Sequence, residues 1–266
     1  MTDAGDSGDT WTLVRGEGPL MALAIHDGHE LRPEVAERIA LSGPERLREE
    51  DPHTGAWTTL APTRMVALRS RFEVDLNRPP ARAVYMRAGD AWGLDVWQQP
   101  PPPELVARSR AQHEAFYDAL ARVLDGLKQR HGRFVVFDLH TYNHRRGGPG
   151  SPFDPQSGNP DFNLGTESMD RRRWAPVVDR VVEALRGHDH LGRRPDVREN
   201  VRFKGAHLVR WIHRSYPDSG CCLSVEVKKF FMDEWSGALD VALHRGVGEA
   251  LGTAARAALA GLERLE

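Results

Sequence analysis

Short apolar runs alternate along this chain with longer stretches in which apolar residues recur at helical spacing. The runs fall at residues 20–25, 72–76, 134–139 and 222–227, each ending in a polar cluster, and they predict strands. Residues 104–129 place Leu105, Ala115, Phe116, Ala119, Leu120, Val123, Leu124 and Leu127 near a 3.6-residue period, the clearest helix in the sequence. Residues 176–185 and 239–262 predict two more helices, the second rich in alanine and preceded by the small residues Ser236 and Gly237. Strands alternating with long helices imply an α/β fold with a layered sheet. The prolines collect in connections such as residues 100–103 rather than in the strand runs, which supports that assignment. No repeat or linker divides the chain, so one domain over residues 11–266 is expected, behind a polar, acidic, flexible tail at residues 1–10.

Composition narrows the partners. A net charge of -2 gives no electrostatic pull toward nucleic acid or acidic membranes. No apolar run approaches the roughly 18 residues needed to span a bilayer, and the N-terminal residues lack the basic and apolar regions of a secretory signal. The two cysteines, Cys221 and Cys222, are adjacent, a spacing that strains a disulfide. A soluble, cytoplasmic protein with both thiols buried is expected, with neither nucleic acid nor membrane as a partner.

Two of the apolar runs end in histidine. Residues 21–25 lead to His26-Asp27-Gly28-His29, and residues 134–139 lead to His140. In an open α/β sheet the carboxyl ends of the strands border the usual ligand crevice, so both imidazoles are placed to converge there, with Gly28 allowing a sharp turn. A lone histidine at a strand end is more often a satisfied polar residue, but two together suggest a metal. A catalytic zinc takes three protein ligands and keeps one position open, so a third ligand, often a carboxylate, is required. Glu49, Glu50 and Asp51 follow a possible helical turn at residues 44–48, and on spacing alone they read as a solvated charge run, since Glu30 stands nearer to His26 and could supply an oxygen from a fixed local geometry. The choice is open.

Further candidates surround these. Glu226 interrupts an otherwise apolar alternating run, where desolvation would favour its neutral form and bring it into the range of a general base; a salt-bridged structural glutamate is the competing reading. In Arg69-Ser70-Arg71-Phe72-Glu73-Val74-Asp75-Leu76-Asn77-Arg78, alternation puts Arg71, Glu73, Asp75 and Asn77 on one face. Arginine's planar fork suits capture of a substrate carboxylate or stabilisation of an oxyanion, and an edge-strand charge ladder is the alternative. Residues 143–162 form a long Gly/Pro/Asn/Ser-rich segment just after His140, where functional loops are common.

Taken in order, these motifs resemble the N-formylglutamate amidohydrolase family, which is similar in fold to zinc carboxypeptidases and aspartoacylase-like deacylases. His26-Asp27-Gly28 resembles the family's His-Ser-Gly turn, Glu49-Glu50-Asp51-Pro52-His53 its acidic segment, and Asp75-Leu76-Asn77-Arg78 its Asp-Leu-Asn-Arg signature. Asp138-Leu139-His140 resembles its Asp-x-His segment, Asn163-Leu164-Gly165-Thr166 its Leu-Gly turn, Phe203-Lys204-Gly205-Ala206-His207 its Phe-x-Gly-Gly-Tyr stretch, and residues 226–234 its closing Glu-x-x-x-x-Tyr-Met-Asp-Glu element. The resemblance implies a single-domain three-layer α/β/α fold with a mixed sheet and one zinc ion per chain. It implies His26, His140 and a carboxylate as ligands, with Asp51 the first choice over Glu50. It implies Glu226 as the general base, with Arg71 and Arg78 as further catalytic groups. Asn77, Arg78, Arg69, Lys204, His207 and Arg210 are the implied contacts to a small-molecule or peptide substrate with a free carboxylate. The sequence departs from the pattern at Phe231, in place of tyrosine, and at Ala206-His207, in place of Gly-Tyr, which bears on the substrate rather than on the reaction.

Overall fold

The computed structural model describes residues 10–189 and 192–265. Seven strands form one sheet: β1 (Trp11–Val14), β2 (Leu20–Ala24), β3 (Thr63–Ala67), β4 (Phe134–Tyr142), β5 (Phe162–Gly165), β6 (Val197–Glu199) and β7 (Gly220–Lys228), in the order β1-β3-β2-β4-β7-β5-β6. The central four, β3, β2, β4 and β7, run parallel, while β1 and β5 pair antiparallel with β3 and β7, so the sheet is mixed. The helices are α1 (Pro33–Ala36), α2 (Gly43–Glu49), α3 (Thr54–Trp57), α4 (Pro103–His131), α5 (Ala175–Gly187), α6 (His207–Ser215) and α7 (Val241–Leu262).

The strand alternation divides the core in two. Val135, Phe137 and Leu139 of β4 and Cys221, Leu223 and Val225 of β7 pack with Val178 and Val181 of α5 and Ala250 and Ala254 of α7. Phe134 and Val136 of β4 and Cys222 of β7 point the other way, against Phe116 and Leu120 of α4 and Leu208 and Ile212 of α6. Helices therefore cover both faces, giving the three α/β/α layers. Both β4 and β7 are buried along their whole length, as expected of central parallel strands.

The α4/α6 face does not stay apolar. Moving toward the carboxyl ends, Asp138 and His140 follow Phe134 and Val136 on β4, and Ser224 and Glu226 follow Cys222 on β7. The register pairs Asp138 with Ser224 and His140 with Glu226. Burying ionisable groups in place of apolar ones costs several kcal/mol each unless they find partners, so this switch marks a site rather than a core.

The sheet differs from the sequence expectation in one respect that matters. Residues 72–76 form no strand: Glu73 and Val74 donate their N–H groups back to the Ser70 carbonyl, and Asp75 donates to Ala83. The apolar alternation there is real but serves a coil wrapped inside the molecule, with Phe72 packing edge-on against Tyr85 while Glu73 and Asp75 are themselves fully buried. An edge strand would have left those carboxylates in solvent. Strands β1, β3, β5 and β6 and helix α6 lie in segments whose apolar runs are too short or too mixed to announce them. Both cysteines are buried. No helix among the described residues is long and apolar enough to cross a membrane. Of the expected tail, residues 1–9 lie outside the described residues, and the Thr10 carbonyl accepts the Leu68 N–H at 2.8 Å.

Candidate active site

Each metal-ligand candidate is delivered by a different element. His26 stands two residues past β2. Its neighbour Gly28 is required by proximity rather than by an unusual φ: a Cβ there would lie 2.4 Å from the Leu68 carbonyl carbon. Gly28→Ala is thus expected to push β2's exit away from the chain after β3 and to destabilise the fold by about 1–3 kcal/mol through overpacking. Urea denaturation of the metal-free protein would read this, and an unchanged midpoint would contradict it.

Asp51 comes from the end of α2. That helix starts at Ser42 with a capping box closed by Glu45, and at Glu50 the backbone turns extended. Beyond that turn the two acidic candidates face different ways. Glu50 turns into the protein, 2.5 Å from His29 Nδ1 and 3.4 Å from Arg46 Nη1, and accepts from the Ser70 hydroxyl. The structure therefore corrects the inclusion of Glu50 among the ligand candidates. Asp51 faces the histidines: its Oδ2 is 3.3 Å from His26 Nδ1 and 3.0 Å from His140 Nδ1. Oδ1 accepts from the Thr141 hydroxyl at 3.0 Å.

One ligand atom from each of His26, Asp51 and His140 lies within 4.8 Å of the others, and all three residues are buried. The far nitrogen of each imidazole meets a second buried carboxylate: His26 Nε2 is 2.7 Å from Asp75, and His140 Nε2 is 2.9 Å from Asp138. Such partners fix which ring nitrogen faces a metal. Burial opposes ionisation of Asp51, but His140 and His26 hold it well below the usual carboxylate range. Burial likewise opposes charge on His140, yet Asp138, Glu226 and Asp51 raise it well above an ordinary imidazole. Both oxygens of buried Asp138 lack an aligned hydrogen-bond donor. A site in which Asp51, Asp75, Asp138 and Glu226 surround two imidazoles is electrostatically prepared for a cation, and a donor set of two nitrogens and one carboxylate matches catalytic zinc chemistry.

Glu226 projects beside His140, and its carboxyl is pushed up to about 7, chiefly by burial, with the charges of Asp51 and Asp138 adding to the rise. The cavity in front of these residues measures about 320 Å³ and is also lined by Arg71, Asn77 and Arg78. Asp75 organises that wall. Its Oδ2 accepts from Arg71 Nη2 at 3.1 Å, from Arg78 Nε at 3.3 Å and from the Tyr85 hydroxyl, while its Oδ1 accepts from the Asn77 N–H at 2.9 Å and meets His26. Despite complete burial, Arg71 and His26 keep Asp75 ionised far below its ordinary range.

Four expected substrate contacts do not reach the cavity. Arg69 turns to Glu30, 3.8 Å away. Lys204 pairs with Glu167 at 2.7 Å on the surface. His207 packs edge-on against Tyr117, at 5.5 Å between ring centroids, and Arg210 is exposed on α6. For Lys204, His207 and Arg210 the start of α6 sets the direction: Asn77 Oδ1 accepts the Leu208 N–H at 3.0 Å, and of that stretch only Phe203 and Ala206 line the site. Phe231, at the position of a family tyrosine, packs against Trp57 in the core instead of facing the cavity.

Sequence reasoning missed Trp92, Arg146, Asn143 and Lys229, all of which line the cavity. Trp92 has a left-handed backbone (φ 54) and lies under the Arg71 guanidinium, 4.7 Å from its ring centroid. Arg146 belongs to the segment after His140 that stood out by composition and pairs with Glu49 at 3.2 Å. For Lys229 the only signal was its place just past the apolar run that carries Glu226.

One family model and two solved structures resemble this chain. A family model described as N-formylglutamate amidohydrolase matches residues 18–231. Among solved structures, an N-formylglutamate amidohydrolase from Ralstonia eutropha JMP134 superposes with a TM-score of 0.72 at 21% identity, covering 93% of this chain and 97% of that one. A gene product of Agrobacterium tumefaciens superposes with a TM-score of 0.69 at 18% identity, covering 97% of each chain. No curated protein sequence matches. At those identities the superpositions establish a shared fold, while the family match spans the site from His26 through Glu226: the chain belongs to the N-formylglutamate amidohydrolase family.

Proposed function

We propose that this chain is a zinc-dependent hydrolase that cleaves an N-acyl amide or peptide bond in a substrate bearing a free carboxylate. The observation that carries the proposal is the pairing of a convergent His26-Asp51-His140 donor set with a buried glutamate on the adjoining strand. One zinc would be held by Nδ1 of His26, Nδ1 of His140 and the Asp51 carboxylate, and when bound it supplies a Lewis acid that activates water near neutral pH and polarises a carbonyl. Asp75 and Asp138 hold the two imidazoles in orientation. Glu226 accepts the proton of the attacking water and returns it to the leaving amine, a task suited to a carboxyl whose affinity for protons has been raised toward neutrality.

Arg71 and Arg78 supply positive charge for the substrate carboxylate and for the oxygen that becomes negative during attack. Arg78 is the more exposed, at 24% against 12% for Arg71. We assign it the carboxylate, with Asn77 beside it, and give Arg71 the oxyanion. A non-catalytic carboxylate-binding protein would have no use for Glu226 at this position.

A second reading, a deacylase or carboxypeptidase-like enzyme acting on a larger peptide or biosynthetic intermediate, is favoured by one feature. A further cavity of about 240 Å³ shares Arg48, Glu49, Trp92, Asn143 and Arg146 with the catalytic one, leaving room beyond a formylated amino acid.

Metal analysis of the purified protein together with a panel of N-acyl amino acids and short peptides tests the proposal. Close to one zinc per chain is expected, with hydrolysis of at least one panel member that chelation abolishes and zinc restores. Protein without stoichiometric zinc, or hydrolysis indifferent to chelation, would overturn it.

A further inference from the structure

Helix α2 ends at Glu49, and the last carbonyls of any helix have no partner within it. Here side chains from three other parts of the chain take them up in succession. The Arg48 carbonyl accepts from Lys229 Nζ at 2.7 Å and from Asn143 Nδ2 at 2.9 Å; the Glu49 carbonyl accepts from Arg71 Nη1 at 3.2 Å; the Glu50 carbonyl accepts from Lys229 Nζ at 2.8 Å. One ammonium thus bridges two carbonyls of the segment that ends in Asp51. Lys229 is itself anchored, because its N–H donates to the Tyr142 carbonyl at 3.0 Å just past His140.

Burying an ammonium costs several kcal/mol, and an apolar side chain of similar volume would normally serve a core better. Lys229 is nonetheless 1% exposed and ranks among the largest fully buried side chains of the molecule. It stands three residues after Glu226, just past the end of the same strand. A single residue therefore joins the loop carrying the carboxylate ligand, through its ammonium, to the end of the strand carrying His140, through its backbone N–H, and follows directly on the strand carrying the base.

We infer that Lys229 is a positioning residue for the metal site, acting through the Arg48 and Glu50 carbonyls to set where the Asp51 carboxylate stands relative to His26, His140 and Glu226. The inference rests on the zinc reading above and adds to it a group outside the ligand set. Loss of such outer partners characteristically weakens metal binding by about 10–100-fold.

The test uses Lys229→Met and Lys229→Arg in the full chain, with zinc affinity measured by chelator competition and the ligand field read from the visible spectrum of the cobalt(II)-substituted protein. Lys229→Met keeps the volume and removes the buried charge. It is expected to fold and to bind zinc about 10–100-fold more weakly, with a shifted cobalt spectrum. Lys229→Arg keeps the charge but cannot bring one nitrogen to both carbonyls, so it is expected to fall between Met and the native protein in both readouts. A core-filling role would move stability and leave the cobalt spectrum alone. Native zinc affinity and a native cobalt spectrum in the variants would overturn the inference while leaving the zinc hydrolase reading intact. Failure of the native protein to bind zinc would instead overturn that reading, and this inference with it. If the methionine variant does not fold, the arginine variant decides by the same two measurements.

Discussion

Glu226→Gln is expected to lower kcat by about 10³-fold while leaving zinc content at the native level, because it removes proton transfer without touching a ligand. The amide keeps the size and polarity of the side chain beside His140, so KM should move little. Steady-state kinetics on whichever substrate the panel identifies, with metal analysis of the same preparation, provides the check; a variant with native turnover would remove the general base from the proposal. The same substitution has a second signature in the metal-free protein. Glu226 in the fold binds its proton up to about pH 7, above the ordinary value of 4.5. A carboxyl with a raised folded pKa favours folding below the unfolded value, and that contribution is lost as pH rises through the folded one. Glutamine carries no such dependence. The stability of Glu226→Gln relative to native should therefore rise between about pH 4.5 and pH 7, by an amount on the order of 3 kcal/mol at the upper end. Bound zinc favours the carboxylate, so the acid limb of the activity profile is expected below pH 7, with activity increasing as Glu226 deprotonates.

His140→Ala should remove zinc, lowering affinity by at least about 100-fold and hydrolysis with it, since two ligands no longer hold the ion against water. The protein should remain folded but lose about 3–5 kcal/mol in the metal-free state, because Asp51 and Asp138 each lose a cationic partner in a buried setting. Equilibrium denaturation and metal analysis of one preparation measure both effects. Retention of stoichiometric zinc would mean that the ion sits elsewhere. Unfolding on loss of zinc would indicate a structural rather than a catalytic metal.

The parts of the site that lie on regular elements were legible in the sequence. Residues 134–139 and 222–227 are apolar runs that could hardly be anything but buried strands, and a histidine and a glutamate breaking their pattern had to be explained by chemistry. The long helix α4 was equally plain. In the segment from Arg69 to Arg78 the alternation predicts a strand with one wet face, but both of its faces are buried. In the coil that forms instead, Glu73 turns to Arg32, 3.0 Å from its Nε, while Asp75 gathers His26, Arg71, Arg78 and Tyr85. No periodicity carries that information, since it depends on contacts between residues far apart in the chain. Lys204, His207 and Arg210 lie away from the cavity for a related reason. Matching a motif fixed which residues stand there, but the start of α6 decides which way they point. Lys229 was invisible because two lysines after a strand usually mean solvent.

The pairing of His140 with Glu226 has a consequence for how the molecule can change. Their separation is set by the backbone ladder between two central strands, whose hydrogen bonds are independent of the side chains around them. The groups that surround the opening, Trp92, Arg146 and Asn143, come instead from coil segments outside the sheet. Selection or an engineer can therefore remodel the entrance, in length as well as in charge, without disturbing the spacing of His140 and Glu226. The sheet thus fixes the distance between the two groups, while the entrance is built from replaceable parts.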